Sequence, residues 1–360
     1  ADAAGGGIIE INNNTAATTK LTWTLFKAVC FSSLGGILFG YDLGVISGAL
    51  PQISVSFDLS ESQKESVVSF LYLGGLFGAA LGGFVCDKYG RKVAILFTDV
   101  VFAIGALLLS TSQSYLSVLC GRFVVGFAVA VSGCADVSYL SEISPVQWRG
   151  SIVSRNEACI TFGFLVAYAA GYGFTLLDPY NGWRYMFGVS AIAAAAQFFF
   201  MLSMPESPVW LAGPNNNRIE EAKASLMRIY EFSSVEEVND YYNMEFQYIV
   251  SSEIISYQQD KQEETLSNHH MWQQLFRQSS IAISLSVVQQ FCGHTNVLNF
   301  APIIFSNAGV GQKSSLAYTI LLGIVKFVVT IIVIWKIEIF GRRILLLVGM
   351  GLLEISLICM

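Results

Sequence analysis

Two charged residues stand inside apolar runs: Asp42 in "ILFGYDLGVISGAL" and Arg122 in "CGRFVVGFAVAV". An ionisable side chain at such a place pairs, faces water or marks an ion pathway. A carboxylate beside an arginine stays ionised, whereas one that loses its arginine while buried takes up a proton. An Asp42–Arg122 pair therefore reads either as a structural ion pair or as a two-state proton switch. Gly36, Gly40, Gly44 and Gly48 recur every four residues and form one slowly drifting stripe, the small-residue pattern that lets helices approach closely in lipid. Asp42 lies on the opposite side of the same helix. Asp136, in the run that carries Arg122, is a second acid that belongs either to the cytosolic interface or to the interior.

A second group is neutral and hydrogen-bonding. In "VVQQFCGHTNVLNFAP" a helical period puts Gln289, Gly293 and Asn296 on one face, flanked by Gln290, His294 and Asn299. Glu157 and Tyr168, eleven residues apart with Phe164 between them, share a face of another run. Amides donate and accept, so amides among aromatic rings at mid-membrane suit a neutral polyhydroxylated ligand, whose hydroxyls both donate and accept. The competing reading is that they only bridge helices. The sequence shows no nucleophile paired with a base and no metal-ligand spacing among its seven cysteines and three histidines. An enzyme, a metal site and a cofactor are not expected.

The elements that must position these residues are membrane helices. Of 360 residues 54% are hydrophobic and only 13% charged, with mean hydropathy +0.56, against about 25% charged in ordinary soluble domains. The net charge of −6 leaves no basic footprint for nucleic acid. The partners expected are the lipid bilayer, a small sugar and a proton. Nine apolar runs, at about 25–48, 66–86, 93–112, 116–140, 156–176, 185–204, 280–304, 316–337 and 344–360, reach or approach the roughly 20 residues a spanning helix needs. The predicted organisation is a disordered cytosolic tail at 1–21, a six-helix bundle at 22–205, a cytosolic helical linker at 206–278, and three helices of a second bundle at 279–360.

Lys and Arg gather in "DKYGRK", "PVQWRGSIVSR" and "EIFGRR", which places those connectors, the N-terminus and the linker in the cytosol. Asp87-Lys88-Tyr89-Gly90-Arg91-Lys92 recurs as Glu338-Ile339-Phe340-Gly341-Arg342-Arg343, an internal repeat of the kind from which transporters are built. By that symmetry the chain is expected to stop inside a C-terminal bundle that lacks about three spans. The connector charges also have a mechanical reading, with Arg91 and Lys92 pairing with helix C-termini and with Glu142. The predicted cytosolic latch comprises Asp87, Arg91, Lys92, Glu142, Arg149, Glu206, Glu338, Arg342 and Arg343. The simpler reading is that these bases only set topology.

Several stretches together resemble the sugar porter family of the major facilitator superfamily: "GGFVCDKYGRK", "GR" at 121–122, "YLSEISPVQWRG", "GWRYMF", "PESPVWL", "QQFCG" and "EIFGRR". The resemblance implies an all-α, polytopic major facilitator fold, two six-helix bundles rocking about a central sugar site. It puts Gln289 and Gln290 on the family's paired glutamines and Thr295 on its usual Asn, with Asn296 one position later. Glu157 stands in place of a customary Gln, Tyr168 replaces another polar position, and Val209 replaces an Arg. With Lys326, these departures look like the class III branch of the facilitative hexose transporters. Asp42 matches the acid of proton-coupled sugar porters, and Arg122 matches its partner. The implied function is hexose transport by alternating access with proton symport, most naturally across the plasma membrane. Uniport of hexose, transport of inositol or a polyol, and a non-transporting sugar sensor are the alternatives.

Overall fold

The structure, a computed structural model, describes residues 22–145, 148–213, 216–232, 234–243 and 267–359. The predicted N-terminal tail and the middle of the linker lie outside these residues. Among them there are helices and no strand. Six long helices come first: α1 (Trp23–Ser56), α2 (Glu61–Tyr89), α3 (Arg91–Ser110), α4 (Tyr115–Ile143), α5 (Arg149–Leu177) and α6 (Gly182–Leu202). Short helices follow at α7 (Pro208–Ala212), α8 (Ile219–Tyr230) and α9 (Val235–Tyr241), then α10 (Ser267–Phe291), α11 (His294–Asn307), α12 (Gln312–Phe340) and α13 (Arg342–Cys359).

The starts of these helices obey local chemistry. The Thr22 hydroxyl accepts the Leu25 N–H ahead of α1, and Ser60 with Gln63 forms a reciprocal capping box ahead of α2. Before α6 the Asp178 carboxylate accepts the N–H groups of Tyr180 and Asn181, each at 3.0 Å, which holds its pKa below the usual carboxylate value. At 34 residues, α1 is about 51 Å long, well beyond the roughly 30 Å hydrocarbon core.

Among the described residues seven helices are long and apolar enough to cross a membrane: α1 to α6, and Ser314–Ile337 within α12. Their outward faces carry apolar residues such as Leu76, Phe84, Ile104 and Ile192, all more than half exposed, as suits lipid contact. The protein is a multi-pass membrane protein. The run read as a seventh span is not one helix, because Gly293 adopts φ +69°, a left-handed conformation that glycine takes at little cost. It divides α10 from α11.

Inside the N-terminal bundle α1 packs on α5 and α6, α2 on α4, and α3 on α4 and α6. Tight seams depend on glycine: a Cβ on Gly40 would lie 1.9 Å from the Ile160 carbonyl oxygen of α5. The stripe from Gly36 to Gly48 thus faces α5 along its length. α11 lies against α1, and α12 against α5. The linker helix α8 buries Ala222, Leu226 and Ile229 completely, at the i, i+4, i+7 spacing of one helical face. Tyr230 Oη donates to the Ile143 carbonyl at 3.0 Å and fastens it beneath α4.

Candidate functional site

The glycine seam turns the opposite side of α1 toward α4, and there Asp42 meets Arg122. Oδ2 stands 3.4 Å from Nη1, and both side chains are only 1% exposed. That separation is long for a charge-assisted bond, which usually closes to about 2.7–2.9 Å. Arg122 Nε also donates to the Val67 carbonyl of α2 at 3.3 Å, whereas Asp42 Oδ1 has no hydrogen-bond partner. One carboxylate oxygen can therefore accept a proton without displacing the arginine. Asp136, the acid in the run that carries Arg122, is buried in the bundle.

A cavity of about 440 Å³ opens beside this pair, between the N-terminal bundle and α10, α11 and α12. This lies within the roughly 300–1,000 Å³ typical of small-molecule sites. Its polar lining is Tyr72, Glu157, Gln289, Gln290, Thr295 and Lys326, and its apolar walls include Phe39, Ile160 and Phe164. Glu157 and Phe164 come from α5, seven residues apart. Gln289 and Gln290 end α10 just before the Gly293 break, and Thr295 follows in the first turn of α11. The break thus brings amides and a hydroxyl to the same wall from two helices.

Three of the predicted ligand residues sit elsewhere. Tyr168 is buried, its hydroxyl 3.5 Å from the Leu298 carbonyl of α11, so it ties α5 to the second bundle. Asn296 is exposed and does not line the cavity, because the turn at Gly293 rotates it off the face that a continuous helix would give it. Asn299 lies behind the cavity wall: it is buried, and its Nδ2 donates to Tyr72 Oη at 3.0 Å.

Sequence reasoning did not assign Lys326 or Tyr72 to the cavity. Lys326 Nζ lies 3.8 Å from the Phe164 ring centroid, a cation resting on an aromatic face across the bundle boundary. The signal was there, since a lone base in an apolar run is what singled out Arg122. Tyr72 carries no such mark.

On the side away from the cavity, Arg91 binds the Glu142 carboxylate at 3.0 Å, Asp87 at 3.3 Å and the Cys86 carbonyl at 3.0 Å. Glu206 Oε1 accepts the backbone N–H groups of Lys92 and Ser207 at 2.9 and 2.8 Å. Ser207 Oγ closes the ring onto Glu142. Lys92 Nζ caps α6 at the Leu202 carbonyl, 3.0 Å away. Arg149 joins no ion pair of this network among the described residues, and its Nε is buried without a hydrogen-bond partner. In the second repeat the side chains of Glu338 and Arg342 lie outside the described residues, and Arg343 is exposed.

Comparison with known proteins agrees with this geometry. A family profile described as "Sugar (and other) transporter" matches residues 28–360. A Xenopus laevis protein named "Solute carrier family 2, facilitated glucose transporter member 10" is 34% identical over 339 residues, 93% of this chain and 57% of that protein. "Inositol transporter 4" of Arabidopsis thaliana is 33% identical over 337 residues, 92% of this chain and 57% of that protein. The chain thus spans less than two thirds of the length of these relatives. Among solved structures, the major facilitator superfamily proton:xylose symporter XylE bound to 6-bromo-6-deoxy-D-glucose superposes with TM-score 0.72 at 26% identity, covering 88% of this chain and 70% of that one.

Proposed function

The chain belongs to the sugar transporter family of the major facilitator superfamily, and on that footing we propose that it carries a hexose across a membrane by alternating access, in symport with a proton. The observation that carries the reading is the amide-lined cavity lying between two helix groups and beside a buried acid–arginine pair. Gln289 and Gln290 hold sugar hydroxyls from the second bundle, while Glu157 accepts from them across the cavity. Phe164 offers its ring to the apolar face of the sugar. Asn296, Tyr168 and Asn299 support the site from outside the cavity.

Coupling passes through α2, which touches both centres. Its Val67 carbonyl receives Arg122, and its Tyr72 hydroxyl, within the electrostatic field of Arg122 and Asp42, receives Asn299 from α11. A proton on Asp42 removes the charge that holds Arg122, and α4, with α2 tied to it through the Val67 carbonyl, is then free to shift relative to α1. Closure around the sugar pulls on the same helix from the other side through Asn299. The cytosolic latch around Arg91 and Glu142 holds the cytosolic side closed and parts when that side opens. Plasma membrane placement with a cytosolic N-terminus fits the basic connectors.

A second reading, transport of inositol or another polyol, is favoured by Glu157 and Lys326, which place one carboxylate and one ammonium on a cavity that amides alone would keep neutral. Uptake by proteoliposomes against a competing panel of hexoses, pentoses and inositols decides between them. Hexose should compete best, and Gln290→Ala or Glu157→Gln should raise KM about tenfold, the loss of one hydrogen bond to a charged or well-placed polar group. Strongest competition by inositol would select the polyol reading, and no uptake of any panel member by correctly folded protein would overturn both.

A further inference from the structure

The transport reading leaves two buried acids unused, Asp99 on α3 and Asp136 on α4, 4% and 2% exposed. Neither joins an ion pair among the described residues. Ser132 Oγ donates to Asp136 Oδ2 at 2.6 Å, but Asp136 Oδ1 and Asp99 Oδ2 have no hydrogen-bond partner. Gln197 of α6, fully buried, has no partner for either its Nε2 or its Oε1, and Asn156 Oδ1 of α5 has none.

These groups converge on the backbone of α1. A Cβ on Gly35 would fall 2.0 Å from Asp136 Oδ2 and 2.9 Å from Gln197 Nε2, and one on Gly36 would fall 2.5 Å from Asn156 Oδ1. Gly35 also borders a small cavity of about 10 Å³ lined by Thr98, Asp99 and Ser132, room for about one water or one small ion. Buried amides and carboxylates normally find partners, and two acids sharing an apolar interior cannot both stay ionised without a cation.

Among the described residues no base of a neighbouring element pairs with either acid. α1 offers Ser32 and Gly35, α5 Asn156 and α6 Gln197. The nearby thiols face other ways, Cys134 toward Cys86 of α2 and Cys159 toward Ser33. Asp42 lies seven residues farther along α1, about 10 Å away, and is engaged with Arg122.

We propose that Asp99 and Asp136, with Gln197 and Ser132, form a second site inside the N-terminal bundle that binds one monovalent cation, a proton or Na⁺, independently of the Asp42–Arg122 pair. A proton bonds to Asp99 Oδ2 or Asp136 Oδ1 and is donated onward to the other carboxylate or to Gln197 Oε1. Na⁺ takes the carboxylate, amide and hydroxyl oxygens as ligands, the donor set that hard cations prefer. In either form the site neutralises the bundle interior and braces α3, α4 and α6 against α1.

The test is the melting temperature of the purified protein in lipid nanodiscs, in two arms. One compares acidic with alkaline pH in choline buffer, and the other replaces choline by Na⁺ at alkaline pH. The protein should gain several degrees in one arm, which identifies the cation. Asp99→Asn and Asp136→Asn should abolish that gain while Asp42→Asn keeps it, so the result stands apart from proton symport. Labelling of the unaltered protein by a hydrophobic carbodiimide, read by mass spectrometry, covers the case in which the variants do not fold. Asp99 or Asp136 should react, and the cation arm identified by melting should modulate the yield. A flat melting temperature in both arms, a response that survives both substitutions, one lost instead in Asp42→Asn, or carbodiimide labelling of neither acid would overturn the proposal.

Discussion

The two copies of the connector motif have the same backbone and different surroundings. Gly90 and Gly341 both end a long helix with positive φ, +98° and +76°, and each returns its N–H to the carbonyl four residues back, Cys86 at 3.1 Å and Ile337 at 3.0 Å. At the first copy a Cβ on Gly90 would lie 2.5 Å from Glu206 Oε2, whereas at Gly341 nothing lies within 4 Å among the described residues. Arg91 has three partners in that first copy and Lys92 Nζ reaches the Leu202 carbonyl, whereas Arg343, the counterpart of Lys92, is exposed. The local sequence dictates the turn, while neighbouring elements, here α4, α7 and α8, surround it with an ion-pair and hydrogen-bond network.

The comparison is broken most severely by Arg91→Ala, set beside Arg343→Ala at the counterpart of Lys92 in the second copy. The first leaves the half-buried Glu142 carboxylate without its cation and should cost about 2 kcal/mol, less than the roughly 3–5 kcal/mol of a fully buried pair. The second should leave thermal unfolding unchanged. Equal losses in the two variants would mean that the bases set topology and no more. Gly90→Ala and Gly341→Ala come next. Both pay the cost of a glycine-only conformation, about 1–3 kcal/mol, so their difference reads the packing against Glu206, and Gly90→Ala should be the worse by thermal shift. Smaller still is Ser225→Ala, which removes the 2.6 Å bond from α8 to the Glu206 carbonyl. About 1 kcal/mol is expected, with faster proteolysis of the linker as its sign.

Much of this was legible in the chain. Long apolar runs gave six helices of the first bundle because a bilayer demands length and hydrophobicity together. The four-residue glycine spacing placed one face of α1 on a neighbour and Asp42 on the other side. Arg122 stood out as the one base in its run. What escaped depends on one residue's backbone or on distant packing. Gly293 reads as an ordinary small residue in a helix, yet its positive φ moves Asn296 off the cavity and Thr295 onto it. Tyr168 and Asn299 share faces with ligand-facing residues, but tertiary contacts with Leu298 and Tyr72 claim their polar atoms. Asp99 is a single acid in an apolar run, and its relation to Asp136 appears only when α3 is laid on α4.

The central claim is that the Asp42–Arg122 pair couples sugar movement to a proton. Adding hexose to proteoliposomes that hold an internal pH dye tests it most directly, with Asp42→Asn beside the unaltered protein. Sugar entry should carry protons through the unaltered protein and shift the dye. The variant should move sugar only down its own gradient, with no pH signal. A pH signal of equal size from Asp42→Asn would contradict the coupling role, and silence from both would make the protein a uniporter.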